Sequence, residues 1–254
     1  MEAQQRIALI TGGSRGLGRD MAISLAKKGV DSIITYRNKK DEAIEVVREI
    51  EALGRKASYL KLDLNEPGQL TAFAQVVEVE LKSNWKSKEL HYLINNAGMG
   101  ATVPFEEVTE ELFDEFMNVH YKSVYFLTQK LVRLMPNGAA IINISSGTTR
   151  FANPGYSVYA SMKGAVEVLT KYWAKELGAK GIRCNIVAPG PVETDFNNAA
   201  VRSNPQLKER LAGLSPLGRV GRPEDIGGVV AFLCSDEGAW INGQRIEVSG
   251  GINV

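Results

Sequence analysis

Residues 6–18 read RIALITGGSRGLG. A strand-like apolar run, Arg6 to Ile10, ends in the turn Thr11 to Gly18, and a helical pattern follows at once over 16–28. Strand, glycine-rich turn and helix in that order open a doubly wound α/β sheet that binds a nucleotide. Gly12 permits the tight turn, Gly16 lets backbone approach a diphosphate, and Gly18 lets helix and strand pack closely. Amides at the helix start, among Ser14, Arg15, Gly16 and Leu17, then face the anion. The spacing G-x-x-x-G-x-G differs from the dinucleotide pattern G-x-G-x-x-G, and no G-K-[ST] closes it as in a P-loop. Alone, such a loop equally suits a plain turn. Its place between strand and helix favours a dinucleotide.

Outward from this unit the pattern alternates. Strand-like runs recur at 31–35, 57–62, 90–94, 139–145, 182–188 and 244–248, and helical patterns near 41–53, 68–82, 106–135, 157–178 and 223–234. The alternation implies crossover connections and a parallel α/β sheet with helices on both faces. Pro223 followed by Glu224 and Asp225 is a helix-start signal. No repeat, low-complexity tract or linker interrupts the 254 residues, so one domain over 1–254 is expected. The polar segment 195–215 is the exception. It reads as a mobile lid over a site or as two short surface helices.

Composition excludes several function classes. The formal charge of +1 gives no argument for nucleic acid or an anionic membrane as partner. No apolar run is long enough to span a bilayer, and MEAQQRIALI runs into a strand without a signal-peptide pattern. Cys184 and Cys234 provide neither a disulfide framework nor metal-ligand spacing, and read as small buried hydrophobes. A cytoplasmic protein without a metal is expected.

The second strand bears on which dinucleotide binds. An NAD site places an acid about 20 residues beyond the glycine loop, on the ribose 2′-hydroxyl. Here the strand end reads Thr35-Tyr36-Arg37-Asn38, with no carboxylate. Arg37 stands where a 2′-phosphate would lie, and Arg15 can close on it from the glycine loop. Two guanidiniums suit a dianionic phosphate, so NADP(H) is expected over NAD(H).

Ser146 ends an apolar strand run, and Tyr159 and Lys163 follow on one face of a helix at i and i+4. The spacing alone is weak, because Tyr36 and Lys40 share it. Context selects Tyr159: a strand-end serine precedes its helix and the strand-end loop Ala188-Pro189-Gly190 follows it.

Nearly the whole chain resembles the single-domain short-chain dehydrogenase/reductase family. The matching pieces are TGGSRGLG at 11–18, Asp63-Leu64, NNAG at 95–98, Ser146, YASMK at 159–163, PGPVET at 189–194 and INGQRIEVSGG at 241–251. The resemblance implies a Rossmann-type sheet of seven parallel strands and hydride transfer between nicotinamide and a carbonyl/alcohol pair. It implies Tyr159 as acid/base, Ser146 on the substrate oxygen, and Lys163 on the nicotinamide ribose. It places Asp63 and Leu64 at the adenine, Tyr36, Arg37 and Asn38 at its ribose, Asn95, Ala97 and Gly98 along the cofactor, and Pro189, Gly190, Val192 and Thr194 near the carboxamide. Asn96 reads as a brace and His91 as structural. Physically, a phenol of pKa about 10 is a weak acid and a poorly ionised base at pH 7. Positive charge on Lys163 and on an oxidised nicotinamide is expected to lower that pKa.

One position departs from the family pattern. The Asn that holds a relay water before the serine strand corresponds here to His120. Asn118, two residues earlier, would point elsewhere on a helix. Histidine both donates and accepts at neutral pH, so His120 is the candidate replacement.

Three functions compete. The first is an NADP(H)-dependent reductase of a small carbonyl compound, or the reverse alcohol dehydrogenase, with Met99, Phe151, Tyr156, Val192 and Phe196 as a mostly apolar pocket. The second is a 3-oxoacyl-acyl-carrier-protein reductase, whose acidic partner would need a basic surface such as Lys175, Lys180 and Arg133. The turn Met135-Pro136-Asn137-Gly138 lacks the basic residue such reductases tend to carry. The third is a cofactor-binding regulator without turnover, against which the intact Ser146, Tyr159 and Lys163 argue. Family resemblance also implies a homotetramer, or a homodimer, formed through helices 106–135 and 157–178 and the C-terminal segment.

Overall fold

Seven strands form one sheet in a computed structural model that describes residues 5–253. They are β1 (Arg6–Ile10), β2 (Val30–Tyr36), β3 (Ala57–Lys61), β4 (Tyr92–Asn95), β5 (Ala140–Ile144), β6 (Arg183–Pro189) and β7 (Arg245–Val248). Their order is β3-β2-β1-β4-β5-β6-β7, and every neighbouring pair is parallel. The expected Rossmann-type sheet is therefore present. Part of the stretch read for a leader pattern, residues 1–4, lies outside the described residues. No helix among the described residues is long and apolar enough to cross a membrane.

Successive side chains of a strand point to opposite faces, and the core divides accordingly. Ile7, Leu9, Ile33, Leu93 and Ile141 pack on one face against α3 (Leu70–Trp85), α5 (Ser123–Leu131) and α6 (Ser157–Leu177). Ala8, Ile10, Ile34, Ile94 and Ile142 face α1 (Gly16–Lys27), α2 (Lys40–Ala52) and α9 (Glu224–Cys234). The winding reverses between β1 and β4, where a doubly wound sheet opens its ligand crevice.

The helix expected over 106–135 is broken. A 3₁₀ turn at Phe105–Glu107 precedes α4 (Glu110–Met117), which the Thr109 hydroxyl caps by accepting from Leu112 N at 3.2 Å. A π-helical turn, Asn118–Lys122, then joins α4 to α5. Such a turn inserts one residue without interrupting the helix, so the apolar stripes on either side read as continuous. Ser123 Oγ, at its end, donates to Leu64 O at 2.6 Å and ties the helix to the loop after β3.

The sheet core holds a chain of polar side chains. Asn95 Nδ2 donates to Asn143 Oδ1 (2.8 Å) and Thr128 Oγ1 (3.1 Å), and Asn143 Nδ2 donates to Thr170 Oγ1 (2.8 Å). The chain joins β4, β5, α5 and α6. Both Asn95 bonds use its amide nitrogen, and its buried Oδ1 has no partner among the described residues. Removing the central member takes one partner from each neighbour, Asn95 keeping Thr128 and Thr170 keeping Val166 O, at about 1–3 kcal/mol per buried group left short of a bond. Asn143→Ala is thus expected to lower the unfolding free energy by at least about 2 kcal/mol, read as a fall in urea midpoint at unchanged slope.

Candidate active site

The glycine loop closes beneath the crevice. Gly12 and Gly16 take φ of +65° and +55°, which side chains disfavour. A Cβ on Gly18 would lie 2.2 Å from Gly12 O and 2.6 Å from Asn96 Nδ2. Asn96 Nδ2 donates to Thr11 O (2.8 Å) and Gly12 O (3.2 Å), so this side chain braces the loop as expected. Arg15 stands at the N-cap of α1 with no side-chain cap, and the first turn carries no acid. Ser14 is buried and Leu17 half-buried. The first amides of α1 are thus free of carboxylate competition for an anion.

At the far end of this crevice, Tyr36 leans on Tyr59 with ring centres 6.0 Å apart. Arg15, Arg37 and Asn38 are exposed. Arg37 Nε lies 3.6 Å from Asp63 Oδ2, while Asp63 Oδ1 accepts from Asn65 N at 2.9 Å. Leu64 is buried in the core. At the near end, Ala97 N donates to Thr11 Oγ1 (3.0 Å) and Gly98 is exposed. Buried Pro189 ends β6, and Gly190 N donates to Val248 O at 3.0 Å. Val192 bridges Gly221, and Thr194 approaches Gly16 so closely that a Cβ there would sit 3.6 Å from it. The cradle under Gly12 and Gly16, the free amides and the two exposed guanidiniums fit a phosphorylated dinucleotide.

The reacting groups meet where β5 ends. Ser146 Oγ accepts from Thr148 N (3.2 Å) and Thr148 Oγ1 (3.0 Å), which leaves its own proton to donate outward. Donation into Ser146 strengthens that outward bond by polarisation. Lys163 Nζ is buried, donates to Ile144 O at 2.7 Å, and sits 5.8 Å from the Tyr159 ring centre. Burial pushes the Tyr159 phenol up to about 12, against the opposing pull of a hydrogen bond with Ser146. Desolvation of a buried phenolate is the largest influence on this group. Burial also brings Lys163 down to about 8.

His120 faces this group from the π-helical turn. Its ring meets Tyr159 edge-on at 5.2 Å and stacks on Phe116 at 5.4 Å. His120 Nε2 lies 2.8 Å from Met99 O and 3.3 Å from Met99 N, whose N–H points at it, and buried Nδ1 has no partner among the described residues. Burial first, then the Lys163 charge, holds its pKa well below the usual histidine value, so the ring is neutral. Asn118 points away, its Nδ2 3.4 Å from Asn65 Oδ1. His91 is structural: Nδ1 accepts from Ile7 N at 3.2 Å.

The expected pocket residues divide. Tyr156 and Phe196 lie 6.3 and 5.9 Å from Tyr159 between ring centres, and Met99 packs on the same cluster. Phe151 lies on the serine side, against Gly147. Within 195–215, α7 (Phe196–Ser203) is kinked by non-helical Asn197, Asn198 and Ala199 and is followed by the short helix α8 (Pro205–Gly213), and Phe196 packs on Tyr159. Three contributors escaped the sequence reading. Phe116 stands one helical turn before His120, a spacing that signalled it. Thr148, and Asn197 with its bonds to Thr102 Oγ1 (3.1 Å) and Tyr156 OH (3.0 Å), carried no such signal.

A family model described as enoyl-(acyl carrier protein) reductase matches residues 12–253. Tetrahydroxynaphthalene reductase PfmaG from Pestalotiopsis fici is 37% identical over 97% of this chain and 91% of its own. LugOII, described as a promiscuous reductase that catalyses keto-reduction at C1 during lugdunomycin biosynthesis, superposes with a TM-score of 0.92 at 38% identity, covering 97% of this chain and 96% of its own. The angucycline C-6 ketoreductase LanV, solved with bound NADP, gives 0.92 at 39% identity over 97% and 95%. The chain belongs to the short-chain dehydrogenase/reductase family.

The lysine sets a pH dependence. It is charged below about pH 8 and neutral above. Turnover in ketone reduction is expected to fall as pH rises through about 8, and Lys163→Met to remove that limb, in a kcat profile from about pH 6 to 10. Stability moves the other way. Between about 8 and 10.5 the unfolded chain keeps a proton the folded chain releases, so the burial penalty is relieved and stability rises.

Proposed function

We propose that the protein reduces a ketone on a planar aromatic substrate with NADPH, Tyr159 delivering the proton. The class of chemistry, an NADP(H)-dependent oxidoreductase acting on a carbonyl/alcohol pair, follows from the family. The observation that carries the substrate class is the aromatic enclosure of the phenol by Tyr156 and Phe196. Flat rings offer a conjugated substrate offset or edge contacts worth about 0.5–1.5 kcal/mol each. The relatives named as a tetrahydroxynaphthalene reductase and an angucycline C-6 ketoreductase support the same choice.

Bound NADPH supplies the hydride. Ser146 holds the carbonyl oxygen through the proton that Thr148 directs outward, and Tyr159 gives that oxygen its proton. A phenol with its pKa at about 12 is fully protonated at neutral pH, the state reduction requires. Lys163 keeps protons beyond the one given to Ile144 O, which serve the nicotinamide ribose. His120 Nδ1, buried and without a partner among the described residues, offers a ring nitrogen to the water that restores the proton. Arg15 and Arg37 grip the 2′-phosphate, with Asp63 orienting Arg37.

The carrier-protein alternative loses support. Arg133 is paired with Glu78 at 2.7 Å. At ~1.5 Å rise per residue, Lys175 lies about 24 Å down α6 from Tyr159. The whole chain acts as one domain, and 195–215 as its lid. A homotetramer is supported by apolar side chains on outer helix faces, Val168 and Tyr172 being 55% and 63% exposed, and by Trp240 at 99% beside the C-terminal strand. Two buried free cysteines suit the cytoplasm.

Fluorescence titration and a panel of small and polycyclic ketones test the reading. Tyr159→Phe is expected to keep NADPH affinity and lose turnover at least about 10²-fold. Arg37→Ala should weaken NADPH about tenfold or more and leave NADH nearly unchanged. Equal binding of NADH and NADPH by the wild type would overturn the cofactor assignment, and tight binding without turnover on any ketone or alcohol would favour the regulator. For His120, replacement by Asn is expected to retain turnover and by Ala to reduce it several-fold. Gain with Asn and no change with Ala would remove His120 from the relay.

A further inference from the structure

Lys163 is one of two charged residues by which α6 grips the serine strand. Tyr159, Lys163 and Glu167 follow at four-residue steps on one helix face. While Lys163 holds Ile144 O, Glu167 Oε1 accepts from Ser145 Oγ (2.6 Å), Thr149 Oγ1 (2.7 Å) and Arg245 Nε (2.8 Å). Arg245 Nη2 reaches on to Ser146 O (3.3 Å) and Thr149 Oγ1 (3.2 Å), and Nη1 pairs with Glu247 (3.0 Å). Three consecutive residues, 144, 145 and 146, are each tied to a charged side chain of α6 or β7.

The pair is shielded: the Arg245 and Glu167 side chains are only 24% and 18% exposed. Charge-assisted bonds in such a place are short and directional. A guanidinium fork reaches Glu167, Glu247 and the Ser146 carbonyl at once, which a lysine cannot do. Neither residue lies among those that face the pocket.

We propose that Glu167 and Arg245 are positioning residues: they hold the Ser146 hydroxyl in register with Tyr159 during carbonyl reduction. Ser146 arrives from β5 and Tyr159 from α6, and the loop 147–156 between them is partly exposed. The Glu167–Arg245 pair references the serine backbone to the helix that carries the phenol. Small displacements of a reacting group matter, since a 1 Å error costs about 10²-fold in rate. The inference rests on the reading above, in which Ser146 and Tyr159 act on one carbonyl oxygen.

The test is a set of double-mutant cycles in single-turnover ketone reduction at saturating NADPH. Glu167→Gln, Arg245→Met and Arg245→Lys are measured alone and combined with Ser146→Ala. Each alone is expected to slow reduction about 10- to 100-fold, with NADPH Kd within about twofold of wild type. In the Ser146→Ala background the same changes should cost less than about twofold, because the group they position is gone. Equal losses with and without Ser146, or a Kd that worsens in step with the rate, would overturn the positioning role. Should one variant fail to fold by circular dichroism, the others carry the same cycle. Full turnover by Ser146→Ala would instead overturn the underlying reading of the site, a result distinct from additive losses at 167 and 245.

Discussion

All seven strands run parallel, so every strand delivers its C-terminal end to the same edge. The loops that begin at Thr11, Arg37, Leu62, Asn96, Ser145 and Gly190 therefore share one rim of the molecule. Proximity of loops does not by itself place atoms. That is done by polar clamps beneath the rim: Asn96 on the glycine loop, Asn95–Asn143–Thr170 across the central strands, and Glu167–Arg245 under the serine. Each clamp is side chain to backbone or side chain to side chain between elements far apart in sequence. The sheet provides the edge and the clamps set the register of the groups on it.

Burial then governs proton state. Tyr159, Lys163 and His120 lie in one water-poor pocket, and desolvation is the largest influence on all three. It raises the acid and lowers the two bases, so each group is shifted toward its neutral form. The phenol stays a proton donor, the imidazole stays neutral with one ring nitrogen unpartnered among the described residues, and the lysine, brought down to about 8, stays mostly charged at neutral pH. A Coulomb argument from the lysine alone runs the other way for Tyr159. The Lys163 ammonium is directed at Ile144 O, and for the buried phenol of the chain alone desolvation is the larger influence.

Periodicity and glycine placement made most of the fold legible. The strand runs need only an apolar stretch and a turn at the end, and TGGSRGLG, NNAG and YASMK name the rim residues by type. What escaped has a common physical origin: it depends on partners distant in sequence. The π-helical turn at 118–122 keeps an unbroken apolar stripe, so no local signal marks it. Asn95 looked available to a ligand because its bonds go to Thr128 and Asn143, on α5 and β5. Glu167 and Arg245, 78 residues apart in sequence, meet only where α6 and β7 bring them 2.8 Å apart. His120 was found because its place in a motif, rather than its surroundings, drew attention to it.

The two sides of the pocket are built to different stiffness. On the serine side the bonds are charge-assisted and shielded, and the backbone around Ser146 is extended and unstrained. On the lid side Asn197, Asn198 and Ala199 take φ of 52–57°, a left-handed turn of three residues without glycine. Asparagine tolerates that region, but alanine there costs about 1–2 kcal/mol. Two hydrogen bonds from Asn197, to Thr102 and Tyr156, oppose the strain, at about 1 kcal/mol each. Phe196, beside this turn, packs on the Tyr159 ring. Tyr159 thus lies between a side braced by shielded, charge-assisted bonds and a side that carries a left-handed turn held by two hydrogen bonds from Asn197.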